Sequence, residues 1–150
     1  MKDLRNKVVL ITGAAGGIGL NTAGFFAEAG SRLVLTDINE LALENAKQRL
    51  AKHGVEILAK VVDVTDLKAV EKLRDDVVQK FGGLDVLINN AGIGYNAEIA
   101  DTPLSKWQQL MNINFWAPLY HIQTFLPLMK EKKSGHIVNV SSVQAYFRAP

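Results

Sequence analysis

The stretch ITGAAGGIG, residues 11–19, separates a strand-like apolar run at residues 8–11 from a segment whose apolar residues recur with helical spacing. N–H groups in the first turn of a helix have no partner inside the helix, and the helix dipole favours negative charge there. Gly13 allows a tight turn, while Gly17 and Gly19 allow a ligand and the sheet to approach the backbone closely. The stretch therefore predicts a phosphate-binding turn between a strand and a helix.

An acidic residue, Asp37, ends the next strand-like segment. Its distance from the glycines is close to the spacing of about 20 residues that is typical of a dinucleotide site. In that position its carboxylate would accept hydrogen bonds from the adenosine ribose and would repel a 2′-phosphate. The alternative is that Asp37 is the N-cap of the following helix. No Arg or Lys lies in the turn or directly after Asp37, and Arg32 lies at the far end of the strand, so NAD is favoured over NADP.

The composition is that of one soluble globular domain. The chain has 150 residues, of which 48% are hydrophobic and 21% charged, and its formal net charge of +2 is spread without a basic block. Such a charge argues against binding to nucleic acid or to a membrane surface. The chain has no cysteine, which excludes disulfides and thiolate metal sites and fits a cytoplasmic protein. No stretch approaches the roughly 18 apolar residues of a membrane span, and the N-terminal residues do not resemble a signal peptide.

Strand-like and helix-like segments alternate along the chain. The strand-like segments lie at residues 8–11, 32–36, 55–62, 84–88 and 136–140, and the helix-like segments at residues 18–29, 38–52, 66–81 and 103–130. This alternation predicts right-handed β–α–β crossovers and an α/β fold with an open parallel sheet covered by helices.

Polar residues follow each of the predicted strands. They are Thr12-Gly13, Asp37, Asp63, Asn89-Asn90 and Ser141-Ser142. Open parallel sheets bind ligands beyond the carboxyl ends of their strands, so these residues are expected to share one site. Two alternatives remain open, because Asp63 could be a plain loop residue and residues 89–92 could be an ordinary turn rich in Asn and Gly.

Helix boundaries and one interruption are also predicted. Thr65 is a candidate N-cap for the third helix, and Thr102 is one for the long helix, with Pro103 at its first position. Pro118 cannot donate a hydrogen bond to the carbonyl of Asn114, four residues earlier, so a local break is expected at Asn114.

Five features together resemble one family in order and spacing. They are the pattern Thr12-Gly13-x-x-x-Gly17-x-Gly19, the pair Asp63-Val64, the motif Asn89-Asn90-Ala91-Gly92, Asn114 in the long helix, and the segment 138–142 that ends at Ser142. On these residues the whole chain resembles the short-chain dehydrogenase/reductase family. The resemblance implies one domain over residues 1–150, with a Rossmann-type doubly wound parallel sheet. Its strand order would be 3-2-1-4-5, incomplete at the C-terminal side.

The resemblance implies an activity and a set of site residues. The activity is NAD-dependent hydride transfer between nicotinamide and a small alcohol or ketone, with NADP less favoured and no metal. The implied catalytic residues are Asn114, whose helix break would hold a water, and Ser142, whose hydroxyl would position the substrate oxygen. The implied cofactor-binding residues are Thr12, Gly13, Ala15, Gly17, Ile18, Gly19, Asp37, Ile38, Asp63, Val64, Asn90, Ala91 and Gly92.

One departure from the family concerns its Tyr-x-x-x-Lys pair, which follows the serine by about a dozen residues on the next helix. Tyr146 comes only four residues after Ser142, and position 150 is proline rather than lysine. We therefore interpret Tyr146 as a residue of a loop beside the substrate cleft, and not as the catalytic tyrosine. We expect either that the natural sequence continues past Pro150 or that this is a shortened form.

A chain without the Tyr–Lys pair is expected to turn over poorly, because general acid–base assistance is typically worth about 10²–10⁴-fold. The alternative function is a non-catalytic dinucleotide-binding module, acting as a sensor or a half-domain. In either case the fifth strand is expected to have an unpaired edge, so the isolated chain should self-associate.

The remaining candidates have plainer interpretations. His53, His121 and His136 share no ligand spacing and are interpreted as structural or surface residues. The long helix has more aromatic and other apolar residues than a single core-facing stripe needs. Core packing and a partner surface remain as alternatives for them. The family resemblance favours a homo-oligomer, dimer or tetramer, formed through residues 103–130.

Overall fold

The computed structural model describes residues 3–143. Its strands are β1 (Val8–Thr12), β2 (Arg32–Asp37), β3 (Ile57–Val61), β4 (Val86–Asn89) and β5 (His136–Asn139). Its α-helices are α1 (Gly17–Glu28), α2 (Glu40–Ala51), α3 (Leu67–Phe81), α4 (Leu104–Met111) and α5 (Ala117–Glu131). A 3₁₀ turn (Ile99–Asp101) precedes α4, and a π-helical segment (Asn112–Trp116) joins α4 to α5.

The strands form one parallel sheet in the order β3-β2-β1-β4-β5. This confirms the predicted α/β fold and its strand order. The order reverses between β1 and β4, because the chain winds outward from β1 to β3 and then crosses over to β4. A crevice opens at such a reversal, beyond the carboxyl ends of the two central strands.

Apolar side chains cover both faces of the sheet. All five residues of β1 are buried, and successive side chains point to opposite faces. Val8 and Leu10 pack with residues of α3 and α5, whereas Val9 and Ile11 pack with residues of α1 and α2. The central strands β1, β2 and β4 therefore form a buried middle layer, which holds the ends of β1 and β4 in fixed positions.

Two predicted helix caps are wrong by one residue. Helix α3 is capped by Asp66, whose side chain accepts hydrogen bonds from two N–H groups of the first turn. Helix α4 begins at Leu104 and has Pro103 at its N-cap position. The hydroxyls of Thr65 and Thr102 donate instead to acceptors upstream of their helices. Adjacent residues of similar capping ability compete for the same position, and the preceding loop decides between them.

The long helix is interrupted at the predicted position. Residues Asn112–Trp116 are π-helical, with Asn114 at their centre and Pro118 just after the start of α5. The missing N–H of Pro118 explains why regular α-helical bonding does not continue through this segment. Pro127, by contrast, lies inside α5 without ending it. Within residues 3–143, no helix is long and apolar enough to cross a membrane.

Strand β5 lies at one edge of the sheet. Within the described residues it pairs with β4 alone, and Val138 is 45% exposed. The predicted open edge is thus present in the described part of the chain. Self-association of the chain stays a prediction.

Candidate active site

The glycine-rich turn presents three backbone donors at the start of α1. The N–H groups of Gly17, Ile18 and Gly19 make no hydrogen bond within residues 3–143. Gly16 occupies the N-cap position, where it has no side chain to satisfy them. The turn has positive φ angles at Gly13 (64°) and Gly17 (53°), which glycine adopts at little cost. The arrangement leaves the N-terminus of α1 open to an anion.

The glycines of the turn serve two different purposes. A Cβ on Gly19 would overlap the Gly13 carbonyl and lie 2.7 Å from Asn90 Nδ2, so α1 packs against the turn only because that atom is missing. A Cβ on Gly16 or Gly17 would meet nothing within 4 Å. Gly19 therefore permits close packing inside the protein, while Gly16 and Gly17 leave space in front of the turn for a ligand.

Thr12 and Asn90 join the turn to the end of β4. Thr12 Oγ1 accepts hydrogen bonds from the N–H groups of Asn90 and Ala91, each at 3.0 Å. Asn90 Nδ2 donates to the carbonyls of Thr12, at 2.8 Å, and Gly13, at 3.2 Å. These four hydrogen bonds cross the strand-order reversal between β1 and β4. They bring Thr12, Gly13, Asn90 and Ala91 together in one network.

Asp37 is not the N-cap of α2, so that alternative is wrong. The N-cap is Asn39, whose side chain accepts a hydrogen bond from the Ala42 N–H at 3.0 Å. Asp37 Oδ1 accepts the Asn39 N–H at 3.0 Å, and Asp37 Oδ2 accepts the Ala15 N–H at 3.1 Å. The Asp37 carboxylate therefore lies beside the glycine-rich turn, at the end of β2.

Three more of the predicted cofactor-binding residues, Ile38, Asp63 and Val64, follow the ends of β2 and β3. The side chain of Ile38 is 68% exposed, and Asp63 is also exposed. Asp63 Oδ1 accepts hydrogen bonds from the backbone N–H and the hydroxyl of Thr65. A cleft at the carboxyl ends of the central strands is described below, and neither Asp63 nor Val64 borders it. The structure therefore separates them from the residues at the end of β4.

Asn114 holds the loop after β4 against the π-helical segment. Its Nδ2 donates to the Ile93 carbonyl at 2.9 Å, and its Oδ1 accepts the Ile93 N–H at 3.0 Å. A Cβ on Gly92 would lie 3.3 Å from Asn114 Oδ1, which is tighter than ordinary contact. The predicted helix break thus turns the Asn114 side chain toward the loop that follows β4.

A cleft of about 800 Å³ opens at the carboxyl ends of the central strands. Among the predicted site residues, it brings together Ile18, Asn90, Ala91, Gly92, Asn114 and Ser142. The interpretation of Tyr146 concerns a residue outside the described part of the chain. Groups of three or more His, Asp or Glu side chains suited to a metal ion are absent from residues 3–143.

The cleft has walls that the sequence reasoning missed. Asn139 borders it and is joined to Asn89, which the sequence places in the shared site, by a hydrogen bond of 2.8 Å from Asn89 Nδ2 to Asn139 Oδ1. One side is apolar and is formed by Phe115, Pro118, Leu119 and Ile122. The spacing of these four residues along one helix face was the available signal for this wall.

The opposite end of the sheet holds a separate ionic group. Asp85 accepts hydrogen bonds from Lys132 Nζ, at 2.7 Å, and from the Val8 N–H, at 2.8 Å, with Lys7 Nζ 3.9 Å away. Burial opposes ionisation of this carboxyl, but the hydrogen bond from Lys132 and the other partners outweigh it and lower the pKa of Asp85. The group ties β1 and β4 to the end of α5 and takes no part in the cleft.

Comparison with known proteins identifies the family. The sequence model of the short chain dehydrogenases matches residues 7–150. The chain belongs to the short-chain dehydrogenase family. A "CLA biosynthesis dehydrogenase/reductase" of Lactiplantibacillus plantarum is 36% identical over 151 residues, which cover 100% of this chain and 53% of that protein.

Two solved structures show the same fold. An NAD⁺-bound xylitol dehydrogenase superposes with a TM-score of 0.95 and 37% identity, over 99% of this chain and 58% of that one. The L-sorbose reductase of Gluconobacter frateurii, complexed with NADPH and L-sorbose, superposes with a TM-score of 0.91 and 34% identity, over 95% and 55% of the two chains. The short-chain dehydrogenase chain described here thus spans just over half the length of these relatives.

Proposed function

We propose that residues 1–150 form the dinucleotide-binding domain of an oxidoreductase that interconverts an alcohol and a ketone with NAD as cofactor. The observation that carries the proposal is the juxtaposition of the free N–H groups at the start of α1 with the Asp37 carboxylate beside the same turn. An anion and a sugar hydroxyl are the two chemical groups that such donors and such an acceptor bind.

The residues at the turn fit a pyrophosphate. The three N–H groups of Gly17, Ile18 and Gly19 need acceptors, and the space in front of Gly16 and Gly17 is open. Thr12 and Asn90 keep the turn attached to β4, so the donors are held in place before a ligand arrives. The remaining cofactor-binding residues in this proposal are Gly13, Ala15, Ile38, Asp63, Val64, Ala91 and Gly92.

The preference for NAD over NADP rests on charge. Asp37 would stand next to the ribose 2′ position, where a phosphate would meet like-charge repulsion. The two solved relatives contain different cofactors, NAD⁺ in xylitol dehydrogenase and NADPH in L-sorbose reductase. Similarity to them supports a nicotinamide dinucleotide, and Asp37 favours the form without the phosphate.

The chain's own residues prepare the cleft for a carbonyl substrate. A bound nicotinamide cofactor supplies the hydride donor or acceptor. Asn114 fixes the loop at Ile93 and thereby one wall of the cleft. By the family resemblance, its helix break would hold a water. Ser142 borders the cleft, where its hydroxyl would position the substrate oxygen. Residues 143–150 contain no Tyr-x-x-x-Lys pair, so this proposal assigns no proton-transferring residue within the given sequence.

The second candidate function is a dinucleotide-binding module without catalysis. It shares the observation that supports binding, the donors of the glycine-rich turn beside the Asp37 carboxylate, and needs no proton-transferring residue. Titration of NADH fluorescence together with NADH oxidation against a panel of ketones separates the two functions. Binding without turnover supports the module for this chain. Turnover at an ordinary enzymatic rate would show a proton donor within residues 1–150, and no binding of NADH would overturn both functions.

Other features support proposals for the oligomeric state of the protein and for its location in the cell. Helix α4 and the π-helical segment expose Trp107, Met111, Phe115 and Trp116, each between 42% and 52%. Together with the family relationship, these apolar side chains support a homo-oligomer formed through residues 103–130, which sedimentation velocity tests directly. The absence of cysteine fits a cytoplasmic location.

A further inference from the structure

Two successive N–H groups of the glycine-rich turn are anchored to the end of β2. Ala14 donates to the Thr36 carbonyl at 3.0 Å, and Ala15 donates to Asp37 Oδ2 at 3.1 Å. The first anchor is backbone to backbone and survives any substitution that keeps the strand. The second depends on one side chain, and that side chain is the predicted ribose acceptor.

Other side chains hold the two ends of the turn: Asn90 Nδ2 donates to the Gly13 carbonyl at 3.2 Å, and Asn21 Nδ2 donates to the Gly17 carbonyl at 3.0 Å. The side-chain bond to the middle of the turn comes from Asp37. Residues 13–17 are Gly, Ala, Ala, Gly and Gly, so none of their side chains can form a hydrogen bond. Gly13 and Gly17 have positive φ angles, and glycine at such positions gains much conformational freedom when its contacts are lost. The direction of the free N–H groups at Gly17, Ile18 and Gly19 depends on this turn. The bond from Ala15 to Asp37 is therefore placed to control how those donors point.

The Asp37 carboxylate can accept the Ala15 N–H and the hydroxyls of a sugar at the same time. An ionised carboxylate offers about four lone-pair sites on its two oxygens. One site on each oxygen is taken, by Ala15 on Oδ2 and by Asn39 on Oδ1. These two bonds also fix the plane of the carboxylate, which leaves the other lone pairs available to hydroxyl donors from a sugar.

We propose that Asp37 is a positioning residue for the pyrophosphate turn as well as the acceptor for the ribose. Sugar selection and phosphate binding are then coupled through a single side chain. A substitution made at Asp37 to admit another sugar would also weaken binding of the phosphates. The inference rests on the proposed function, because it assumes that the turn binds a dinucleotide.

The test separates the two roles by changing the ligand. It uses NAD⁺ and the NAD⁺ analogue in which the adenosine ribose is 2′,3′-dideoxy, so that Asp37 has no hydroxyl to bind. Calorimetric titration measures both ligands against the wild-type chain and against Asp37→Ala. A residue that binds only the ribose should not affect the analogue. We expect Asp37→Ala to bind the analogue about tenfold more weakly than wild type does, which corresponds to about 1.4 kcal/mol at 25 °C.

A matched control removes the charge without touching the turn. Glu40 is exposed in the first turn of α2, three residues from Asp37, and Glu40→Gln should bind both ligands as wild type does. Asp37→Asn is the second variant, in case Asp37→Ala does not fold. It keeps the side-chain volume but can accept with one oxygen only, so it should also weaken analogue binding.

A second measurement needs no ligand. NMR hydrogen exchange at the Ala15 amide should be faster in both Asp37 variants than in wild type, while exchange at the Ala14 amide stays slow. Equal affinity of wild type and Asp37→Ala for the analogue would overturn the inference and leave the proposed function standing. Failure of the wild type to bind either ligand would overturn the proposed function, and the inference with it.

Discussion

Thr12 Oγ1 lies 3.0 Å from the backbone nitrogen of Asn90 and accepts its N–H. The same oxygen accepts the Ala91 N–H, and Thr12 is only 2% exposed. One hydroxyl therefore satisfies two consecutive backbone donors in a partly buried position. It holds the end of β4 against the end of β1, and the candidate site is built around this junction.

Thr12→Val should leave both donors without an acceptor. Valine has nearly the same shape and suits a strand, so the change removes the hydrogen bonds with little repacking. A fully buried unsatisfied donor costs about 1–3 kcal/mol, and because these two donors are only partly buried we expect the free energy of unfolding to fall by about 1–3 kcal/mol in total. Urea denaturation measures the loss. Thr12→Ser keeps the acceptor and is the control, and equal stability of the Val and Ser variants would contradict the prediction.

Gly19→Ala should disrupt the turn by steric overlap. The new Cβ would overlap the Gly13 carbonyl and lie 2.7 Å from Asn90 Nδ2, so the turn or α1 must move. We expect loss of about 1–3 kcal/mol of stability from overpacking, together with loss of NADH binding. Gly24→Ala is the matched control in the same helix, because its Cβ would come no closer than 4.0 Å to Leu50. That variant should bind NADH normally and be more stable by about 0.5–1 kcal/mol.

Asp85 should give the fold a component of stability that is lost in acid. Its folded pKa lies below the ordinary value of 3.8, since the hydrogen bond from Lys132 and the other partners outweigh burial. The unfolded chain therefore takes up the proton first, and the stabilisation is complete above the unfolded pKa and disappears as pH falls through the folded pKa. Asp85→Asn should flatten the pH dependence of unfolding free energy below about pH 5.

The same variant should also lower stability at neutral pH, by about 1–2 kcal/mol, through the weakened bond with Lys132. Lys47–Glu44 is an exposed ion pair at 3.2 Å, and Glu44→Gln provides the comparison. Glu44→Gln should change the unfolding free energy by less than about 0.5 kcal/mol. An Asp85→Asn profile parallel to that of wild type would refute the assignment.

His121 should make the stability of the fold depend on pH in a higher range than Asp85 does. The ring is fully buried and stacks on Phe125, its Nδ1–H donates to the Ala117 carbonyl at 2.9 Å, and Nε2 has no partner within the described residues. Burial lowers the pKa of His121 below 6.5, although the bond to Ala117 opposes this. The unfolded chain binds the proton first, so stability is complete above about pH 6.5 and falls as the pH drops below it.

His121→Leu should remove this dependence, because leucine fills a similar volume and carries no titratable group. Its unfolding free energy at pH 7 should match or exceed that of wild type, and it should stay nearly constant down to about pH 5. His136→Gln, at the exposed start of β5, is the control and should keep the wild-type decline. A Leu variant that declines as steeply as wild type would show that another group is responsible.

The fold could be predicted because its signals are local. The buried run of β1, the glycine-rich turn and the alternation of strands with helices each lie in a few consecutive residues. The caps were missed where neighbours compete, as with Thr65 and Asp66, since both residue types can cap a helix. Which one does so depends on the loop that precedes it, and the sequence pattern does not contain that loop's path.

The sequence places the candidate site residues at the ends of particular strands, but it does not contain their hydrogen bonds. That Asp37 ends β2 is visible in the sequence, but its contact with the Ala15 N–H depends on how the turn folds back. The pairing of Asn89 with Asn139 requires the register of β4 on β5. The apolar wall at Phe115 was missed because its helical spacing also fits core packing or a partner surface, and the sequence does not distinguish these from a cleft wall.

Asn114 should hold the cleft loop closed, and this can be measured without turnover. Its amide makes two hydrogen bonds to Ile93, one to the N–H and one to the carbonyl. Asn114→Ala removes both, so hydrogen exchange at the Ile93 amide should become about tenfold faster or more, since each lost bond is worth about 1 kcal/mol. Asn114→Asp keeps an acceptor for the N–H but places a second oxygen against the Ile93 carbonyl, so it should also exchange faster.

The neighbouring Asn112 supplies the control. It lies in the same π-helical segment and is exposed, and its side chain makes no hydrogen bond within residues 3–143. Asn112→Ala should therefore leave hydrogen exchange at the Ile93 amide unchanged, although it too replaces an Asn of the π-helical segment with Ala. If both alanine variants accelerate exchange equally, the loop is held by the π-helical backbone. Acceleration in the Asn114 variants alone shows that the side chain closes this wall of the cleft, because only that amide reaches Ile93.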